Sequence, residues 1–397
     1  MRWELMILLL FLLIQSANST LSKSSKSKND EKTEKKMKVS EQEDHRENLE
    51  TNNELERDNN LQQEILSHHS ELDSSKAKRQ FVKLGYVTPW NGHGYDVAKW
   101  TAKKYTHISP VWFQMIPSVL NGDLTCEFKG QHDIDRGWLE DVRRNNSNIK
   151  IVPRFILEMN DPKLFERFLT METAHVRCAD HLADFLLRNQ FDGVVFEFWL
   201  QVLVATRGQG SEYLIEMTEM FGRRLKLRNL LYIVPLTPPV RTIAFDGKSF
   251  LPEEYVSRII EAVDFVNIMT YDYSGEEIGG VAPIPWIRTN IQLFLSQDPE
   301  YAQKLLIGLN YYGHCNGELK DTITGNKFVE LLKQKDKKLY WSEQAQENVL
   351  LWGEESQCYF PTRRSIDIRL DFVEAEHLAG IGIWELGQGL NSFTSSL

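Results

Sequence analysis

The sequence predicts an α/β protein whose folded part is a (β/α)8 TIM barrel. Eight short apolar runs of strand length recur over residues 81–397, and most precede a longer segment of helical periodicity. Strands that alternate with helices favour βαβ units and a parallel sheet, and eight parallel strands close a barrel. The alternative is an open sheet of six or seven strands. Residues 20–80 differ in composition, so the barrel is expected to begin at residue 81.

The predicted strands and helices follow one another along the chain. The strands are expected at residues 82–90, 107–115, 150–157, 193–200, 230–236, 265–271, 305–312 and 380–386. The clearest helical patterns lie at residues 162–169, 174–188, 211–225, 252–262, 287–295 and 365–378. Residues 317–360 are too many for one crossover helix between strands seven and eight. They predict a small insertion with its own strands at 338–341 and 356–360.

Residues 1–19 predict a secretory signal peptide. An unbroken apolar run covers residues 5–14, and Ala17 and Ser19 are small residues at the spacing of a cleavage site. The run is too short to span a bilayer and no later stretch is apolar enough, so no membrane span is expected. The chain is therefore expected to be secreted, and a sequon predicts a glycan on Asn145.

Residues 20–80 predict a disordered, charged leader. The segment holds no aromatic residue, glycine, proline or cysteine, and it is dense in Lys, Glu, Ser and Asn. It therefore buries too little apolar area to offset the entropy of ordering, although some helix is expected near residues 55–66. The basic run Lys76-Ala77-Lys78-Arg79 is either a proprotein-processing site or a solvated run of charge.

Net charge and cysteine content limit the binding partners and the cellular compartment that are expected for the chain. The formal net charge of −10 at pH 7 argues against nucleic acid and against an anionic membrane surface as partners. In a secreted protein the four cysteines are expected to form one or two disulfides, and four buried thiols are the competing interpretation. No two cysteines lie at metal-ligand spacing, so neither a metal nor another cofactor is expected. The cysteines are Cys126, Cys178, Cys315 and Cys358.

Aromatic and polar residues recur where the predicted strands end. In a parallel barrel the carboxyl ends of the eight strands meet at one face, the barrel mouth, where function resides. Sugar rings stack on flat aromatic side chains, and sugar hydroxyls bind carboxylates and amides. We therefore expect a carbohydrate site at the mouth. Its candidate sugar-binding residues are Tyr86, Trp90, Trp112, Glu197, Trp199, Met269, Tyr271, Asp272, Tyr312 and Trp384.

Four motifs occur in order at the predicted strand ends. They are Leu84-Gly85-Tyr86 with Trp90, Phe191-Asp192-Gly193, Asn267-Ile268-Met269-Thr270-Tyr271-Asp272 and Gly382-Ile383-Trp384. Together they resemble glycoside hydrolase family 18, the chitinase family, and the resemblance covers residues 81–397. It implies a TIM barrel that binds chitooligosaccharides or related N-acetylated glycans. In the family, the positions of Tyr271, Asp272 and Trp384 hold the N-acetyl group and floor the central sugar subsite.

The fourth predicted strand departs from the family pattern. Active members read Asp-Gly-x-Asp-x-Asp-x-Glu there, and the final Glu protonates the glycosidic oxygen while the N-acetyl group of the substrate attacks. Here Val195 and Glu197 occupy the inner Asp positions, and Trp199 occupies the position of the acid. If residues 195, 197 and 199 share one strand face, Glu197 lies roughly 7 Å deeper than the acid would. Trp199 is then either a stacking wall or a plug.

Three hypotheses about function follow. The leading one is a lectin-like binder of amino-sugar glycans that lacks a catalytic residue. The second is a glycosidase that uses another acid, with Glu158, Glu197, Asp272 and Glu385 as candidates, of which Glu197 and Asp272 are the residual candidates closest to the family site. The third is a protein-interaction scaffold. The resemblance also implies a scavenger-type receptor as partner and lysosomal sorting.

Overall fold

The computed structural model describes residues 55–57, 59–206, 210–240, 251, 253–273 and 279–397. The predicted signal peptide and the leader up to residue 54 lie outside the described residues. Residues 55–57 and 59–80 fall within them, as does the region predicted to form the barrel apart from the gaps above.

Eight parallel strands form a closed barrel, as the sequence predicts. Two barrel strands are each built from two pieces, the second from β3 and β4 and the third from β6 and β7. The strands are β2 (Val82–Val87), β3 (His107–Pro110), β4 (Phe113–Leu120), β6 (Lys150–Ile151), β7 (Arg154–Leu157), β8 (Gly193–Glu197), β9 (Leu231–Leu236), β10 (Phe265–Ile268), β11 (Leu305–Asn310) and β17 (Gly380–Trp384).

The two divided strands close the barrel. The piece β3 pairs with β2 and with β6, whereas β4 pairs with β7, which pairs in turn with β8. Single hydrogen bonds bridge the breaks, because the Val152 amide donates to the Ile108 carbonyl at 2.9 Å and the Val195 amide to the Pro153 carbonyl at 3.0 Å. The sheet therefore runs through all eight strands, and the alternative of an open sheet is wrong.

Helices cover the outside of the barrel. They confirm the six predicted helical segments to within a few residues and add three that the sequence did not predict, at α2, α3 and α6. The helices between barrel strands are α2 (Gly92–Trp100), α3 (Arg136–Asn145), α4 (Pro162–Thr170), α5 (Glu172–Arg188), α6 (Trp199–Ala205), α7 (Ser211–Lys226), α8 (Glu253–Ala262), α9 (Ile284–Leu295) and α11 (Arg363–Ala375). Among the described residues, no helix combines the length and apolar character that crossing a membrane requires.

The barrel interior is a packed apolar core. Alternate residues of each strand point inward, because side chains alternate along a strand, and the inward set is mostly β-branched or leucine. All are buried, so the interior is filled and not a channel. The set is Leu84, Tyr86, Val111, Val152, Val195, Ile233 and Leu306, with Trp384 packed against its upper end.

A β-hairpin extends the second barrel strand beyond the mouth. Strand β4 turns at Asn121-Gly122 and returns as β5 (Asp123–Lys129), paired antiparallel with it. A disulfide between Cys126 of β5 and Cys178 of α5 fixes the hairpin to the outer helices.

The insertion between strands seven and eight forms its own antiparallel strands, as predicted, and also contains one helix that was not predicted. Its elements are β12 (Gly313–Asn316), β13 (Asp321–Ile323), α10 (Gly325–Leu332), β14 (Lys338–Ser342), β15 (Glu347–Trp352) and β16 (Ser356–Phe360). The second disulfide joins paired residues of neighbouring strands, Cys315 and Cys358. Both predicted internal strands, at 338–341 and 356–360, are confirmed.

The end of the leader corrects the expectation of disorder for the described residues between 55 and 80. Strand β1 (Leu55–Arg57) pairs with β14 at the edge of the insertion sheet, and helix α1 (Asn59–His68) packs on α10. The helix buries Leu61 and Ile65, which are enough apolar side chains to hold it on a preformed surface. The helix itself agrees with the helix expected near residues 55–66. Its packing on the insertion could not be predicted, because composition does not identify the surface on which a segment folds.

Candidate functional site

The floor of the barrel mouth is made by two aromatic side chains from adjacent strands. Tyr86 of β2 and Trp384 of β17 lie with ring centroids 5.4 Å apart, and Trp384 is only half-buried. The Tyr86 hydroxyl accepts a hydrogen bond from Asn267 Nδ2 at 2.9 Å. Burial raises the pKa of the Tyr86 phenol above its ordinary value, so the group is neutral. The two rings are tilted by 56° to each other, so the partly exposed Trp384 indole rests on a buried Tyr86 ring whose hydroxyl is held in place.

A second wall comes from the residues that follow β10 and β11. Tyr271 and Tyr312 meet edge-to-face at 6.2 Å between centroids, and the Tyr312 hydroxyl donates to a carboxylate oxygen of Asp272. Asp272 is exposed and its backbone is left-handed, with φ of 60°, which turns its carboxylate toward Tyr312. Burial raises the pKa of Tyr271, and its phenol lies within electrostatic reach of Tyr86 and Glu197. These side chains therefore share one site. Met269 is half-buried just before them.

Glu197 ends the fourth barrel strand and points into the mouth. Its Oε2 accepts from Arg154 Nε at 2.8 Å, and its Oε1 accepts from Gln201 Nε2 at 3.3 Å. Both members of the ion pair are mostly buried, with side chains 14% and 16% exposed. Arg154 is not among the site residues predicted from the sequence. The signal was its position, because it follows the inward Val152 by two residues on the same face.

The structure corrects the prediction that Trp199 faces the mouth. Strand β8 ends at Glu197, and Trp199 is the first residue of helix α6. Its indole is 2% exposed and donates to Thr218 Oγ1 of α7 at 3.2 Å, on the outer side of the barrel wall. Trp199 is therefore neither a stacking wall nor a plug. The assumed strand period does not hold past residue 197 because the chain turns into a helix there.

Of the two other tryptophans predicted near the mouth, one belongs to the core and one is exposed. Trp112 is fully buried between the barrel and its helices, where its indole donates to the Tyr95 hydroxyl at 2.7 Å and packs on Trp138. This position corrects its assignment as a sugar-binding residue. Trp90 lies in the loop after β2, and 70% of its surface is exposed. Trp90 remains a candidate for stacking against a sugar ring at the rim of the mouth.

The two remaining candidate acids differ in burial. Glu158 follows β7 and is half-buried at the rim. Glu385 follows Trp384 and is only 1% exposed. Burial raises the pKa of the Glu385 carboxyl to about 7. It is enclosed by Asn91 Nδ2 at 2.5 Å and by the Gly387 amide at 3.0 Å, so it does not face the mouth as a free acid.

Two clefts elsewhere on the barrel lack the features of the mouth. One of about 330 Å³ lies at the amino-terminal ends of β9 and β10 and carries Lys226, Asp264 and Lys304. Another of about 490 Å³ lies between α9 and α11 beside Arg288. Each has one aromatic side chain in its lining, whereas the mouth presents several, so we place the functional site at the mouth. In the part of the chain that the structure describes, no three His, Cys, Asp or Glu side chains cluster as metal ligands.

The candidate glycosylation site lies away from the mouth. Asn145 is exposed at the end of α3, where its Nδ2 donates to the Lys99 carbonyl at 2.8 Å. A glycan there remains a prediction that its exposure permits.

The chain matches the model of the family described as Glycosyl hydrolases family 18 over residues 82–389. Among curated proteins it is 22% identical over 281 residues to the sporulation-specific glycosylase YdhD of Bacillus subtilis (strain 168). The match covers 68% of this chain and 63% of that protein, so the chain spans less than two thirds of the length of this relative.

Solved structures share the fold at low sequence identity. The spore cortex-lytic enzyme SleL of Bacillus megaterium QM B1551 aligns with a TM-score of 0.64 at 20% identity, covering 81% of this chain and 74% of SleL. The chitinase of Chromobacterium violaceum ATCC 12472 aligns with a TM-score of 0.65 at 14% identity, covering 80% and 98%. The Cycas revoluta GH18 chitinase in complex with (GlcNAc)3 aligns with a TM-score of 0.62 at 13% identity, covering 79% and 97%.

Proposed function

Because the chain belongs to glycosyl hydrolases family 18, we propose that its barrel mouth binds an N-acetylated amino-sugar oligosaccharide without hydrolysing it. Chitooligosaccharides are the first ligands to test, since a structural neighbour holds (GlcNAc)3. The half-buried indole of Trp384, packed on the buried Tyr86 ring, supplies a stacking surface. The exposed Asp272, held by the hydroxyl of the buried Tyr312, supplies hydrogen-bonding oxygens beside it.

The strongest support for binding without cleavage is the arrangement of the family acid positions at the fourth strand. Of the three family acid positions, residues 195, 197 and 199, only Glu197 faces the mouth, and donors occupy both of its oxygens. Val195 lies in the apolar interior and Trp199 lies behind the barrel wall. A general acid must deliver a proton to the leaving oxygen, and such transfer contributes typically 10²–10⁴-fold to the rate. No residue on this strand is arranged to do so.

The binding proposal is tested by removing the indole that floors the mouth. We expect Trp384→Ala to weaken binding of chitotetraose by tenfold or more while the far-UV spectrum stays that of the wild type, because losing the apolar contact of one large side chain costs roughly 1.5–3 kcal/mol. Isothermal titration calorimetry of both proteins measures the change. Equal affinity in the two proteins, or no binding by the parent, would contradict the proposal.

Two exposed tryptophans give a matched control. Trp90 lies at the mouth, whereas Trp100, 50% exposed, ends helix α2 at the opposite end of the barrel. We expect Trp90→Ala to weaken glycan binding and Trp100→Ala to leave it unchanged. An equal effect of the two substitutions would place the binding site elsewhere.

Hydrolysis is tested separately on the wild-type protein. We expect no release of reducing ends from chitotetraose or from a peptidoglycan fragment across pH 4–8. Release that disappears in Glu197→Gln would establish the second hypothesis, a glycosidase with a non-standard acid. A protein that neither binds nor cleaves glycans would leave the scaffold hypothesis.

We also propose a relationship to one group within the family, and a cellular location. The charged leader, the altered fourth strand and the Trp-Glu-Leu-Gly-Gln-Gly sequence at residues 384–389 resemble the stabilin-interacting chitinase-like proteins, also called chitinase domain-containing protein 1. That relationship would make the chain a secreted or lysosomal protein with a scavenger-type receptor as partner. The location is tested by expressing the full chain in cultured cells and assaying the medium and lysosomal fractions for it.

A further inference from the structure

A buried junction joins the two segments that carry the exposed Trp90 and the half-buried Trp384 at the mouth. The loop after β2 contains Trp90 and Asn91, and the loop after β17 begins with Glu385, directly after Trp384 at the end of that strand. The side chains of Asn91 and Glu385 meet at 2.5 Å, and the second oxygen of Glu385 accepts from the Gly387 amide at 3.0 Å. We call this contact the Asn91–Glu385 clasp.

The clasp is closely packed because two glycines bring the loops together. A Cβ on Gly94 would lie 2.9 Å from Glu385 Oε2, and a Cβ on Gly387 would lie 2.5 Å from the Gly94 nitrogen. A side chain at either position would force the loops apart. The carboxyl of Glu385 is consequently enclosed by backbone and amide groups and is 1% exposed.

No cation among the described residues compensates a charge on Glu385. The phenol of Tyr95 on α2 interacts electrostatically with the Glu385 carboxylate. His93, on the same helix, pairs instead with Asn391 at 3.0 Å. Desolvation is the main cause that raises the pKa of Glu385 to about 7, and the hydrogen bonds from Gly387 and Asn91 oppose it only in part. A buried carboxylate without a cation is costly, so ionisation favours entry of water or opening of the clasp.

We propose that protonation of Glu385 keeps the clasp closed and the two tryptophans of the mouth in their binding positions, so that glycan binding weakens as pH rises through neutrality. This inference rests on the proposed function and adds its regulation. Asn91 suits both states of the carboxyl, because its amide nitrogen donates to an ionised oxygen and its amide oxygen can accept from a protonated one. Glu385 is a positioning residue here, since it acts through its neighbours and does not touch the sugar.

The test compares wild type with Glu385→Gln, which is neutral at every pH and similar in shape. If only the protonated form binds, chitotetraose affinity falls about tenfold between pH 6 and pH 8, the ratio of protonated fractions for a pKa of about 7. We expect Glu385→Gln to keep the pH 6 affinity at both pH values. Glu140→Gln, at an exposed position on α3, should follow the wild-type profile. Identical pH profiles for wild type and Glu385→Gln would overturn the inference.

A measurement without ligand separates this inference from the proposed function. Intrinsic tryptophan fluorescence of the wild type should show a transition near pH 7 that is absent in Glu385→Gln and present in Glu140→Gln. Asn91→Ala should bind glycan more weakly than wild type at pH 6, since the bond between the loops is gone. A wild type without the transition overturns the clasp as a switch. A transition without glycan binding at any pH overturns the proposed function and with it the regulation of binding, while retaining a titrating clasp.

Discussion

At the residue scale, the position of Trp199 shows how a strand pattern can mislead. The sequence correctly predicts that Glu197 points into the barrel, because it follows Val195 by two residues on one strand. The same rule fails at Trp199, since strand β8 ends at Glu197 and the chain enters helix α6. The absence of an inward acid at position 199 is therefore caused by both the residue type and the backbone. Arg154, in contrast, was within reach of prediction from strand parity.

We predict that Trp199→Glu does not create hydrolytic activity and destabilises the fold. The substitution removes a buried aromatic side chain and its hydrogen bond to Thr218, and it places a charge in an apolar wall. Loss of a large buried aromatic alone costs about 3–5 kcal/mol of unfolding free energy. Urea denaturation and a reducing-end assay measure the two outcomes. Trp199→Phe serves as the control and should lose less stability. Turnover by the folded Trp199→Glu protein would show that residue 199 can reach the mouth.

At the element scale, the sequence predicts the barrel better than its extensions. Each barrel strand carries an apolar run that is buried on both faces, so its position is visible in the sequence. The hairpin of β4 and β5 was missed, although its turn had a recognisable signal. Asn121 and Gly122 have φ of 53° and 88°, the left-handed conformations that an Asn-Gly hairpin turn adopts. Strand β5 carries charged residues on its exposed side, at Asp123, Glu127 and Lys129, and therefore lacks a continuous apolar run.

The disulfide between Cys126 and Cys178 is predicted to stabilise this hairpin against the barrel. It closes a loop with a sequence separation of 52 residues, for which the chain-entropy model gives about 4 kcal/mol as an upper value. We expect the double substitution Cys126→Ser with Cys178→Ser to lower the free energy of unfolding by about 2–4 kcal/mol, measured by urea denaturation under non-reducing conditions. If the wild type and the double variant unfold at the same urea concentration, the disulfide does not constrain the unfolded chain.

At the scale of the whole molecule, the end of the leader becomes part of the folded unit. Residues 59–80, which we call the strap, pass from the insertion to the C-terminus of the chain. The strap amide of Lys78 donates to the Leu397 carbonyl at 3.0 Å, and Arg79 pairs with Asp371 and Glu374 at 2.7 Å each. These contacts join positions more than 290 residues apart in sequence. Composition could not reveal them, because their partners lie at the other end of the chain.

One ion pair joins the strap to the barrel and has one fully buried partner. Asp73 Oδ2 lies 2.8 Å from Lys104 Nζ, and the Lys104 side chain is fully buried while that of Asp73 is 27% exposed. The hydrogen bond from Lys104 is the main reason that the pKa of Asp73 lies well below its ordinary value. Removing the carboxylate leaves a buried ammonium without its anion, which is strongly destabilising where both groups are buried and less so with partial exposure.

We therefore predict that Asp73→Ala lowers the free energy of unfolding by about 2–3 kcal/mol at pH 7, whereas Asp371→Ala, at an exposed surface pair, lowers it by less than about 1 kcal/mol. Because the folded pKa of Asp73 is depressed, its contribution is complete above the ordinary value of 3.8 and is lost as pH falls below it. Chemical denaturation of both variants at pH 7 and pH 3 measures this, and the difference between wild type and Asp73→Ala should shrink at pH 3. A difference that is the same at both pH values would show that Asp73 stabilises the strap through packing and not through its charge.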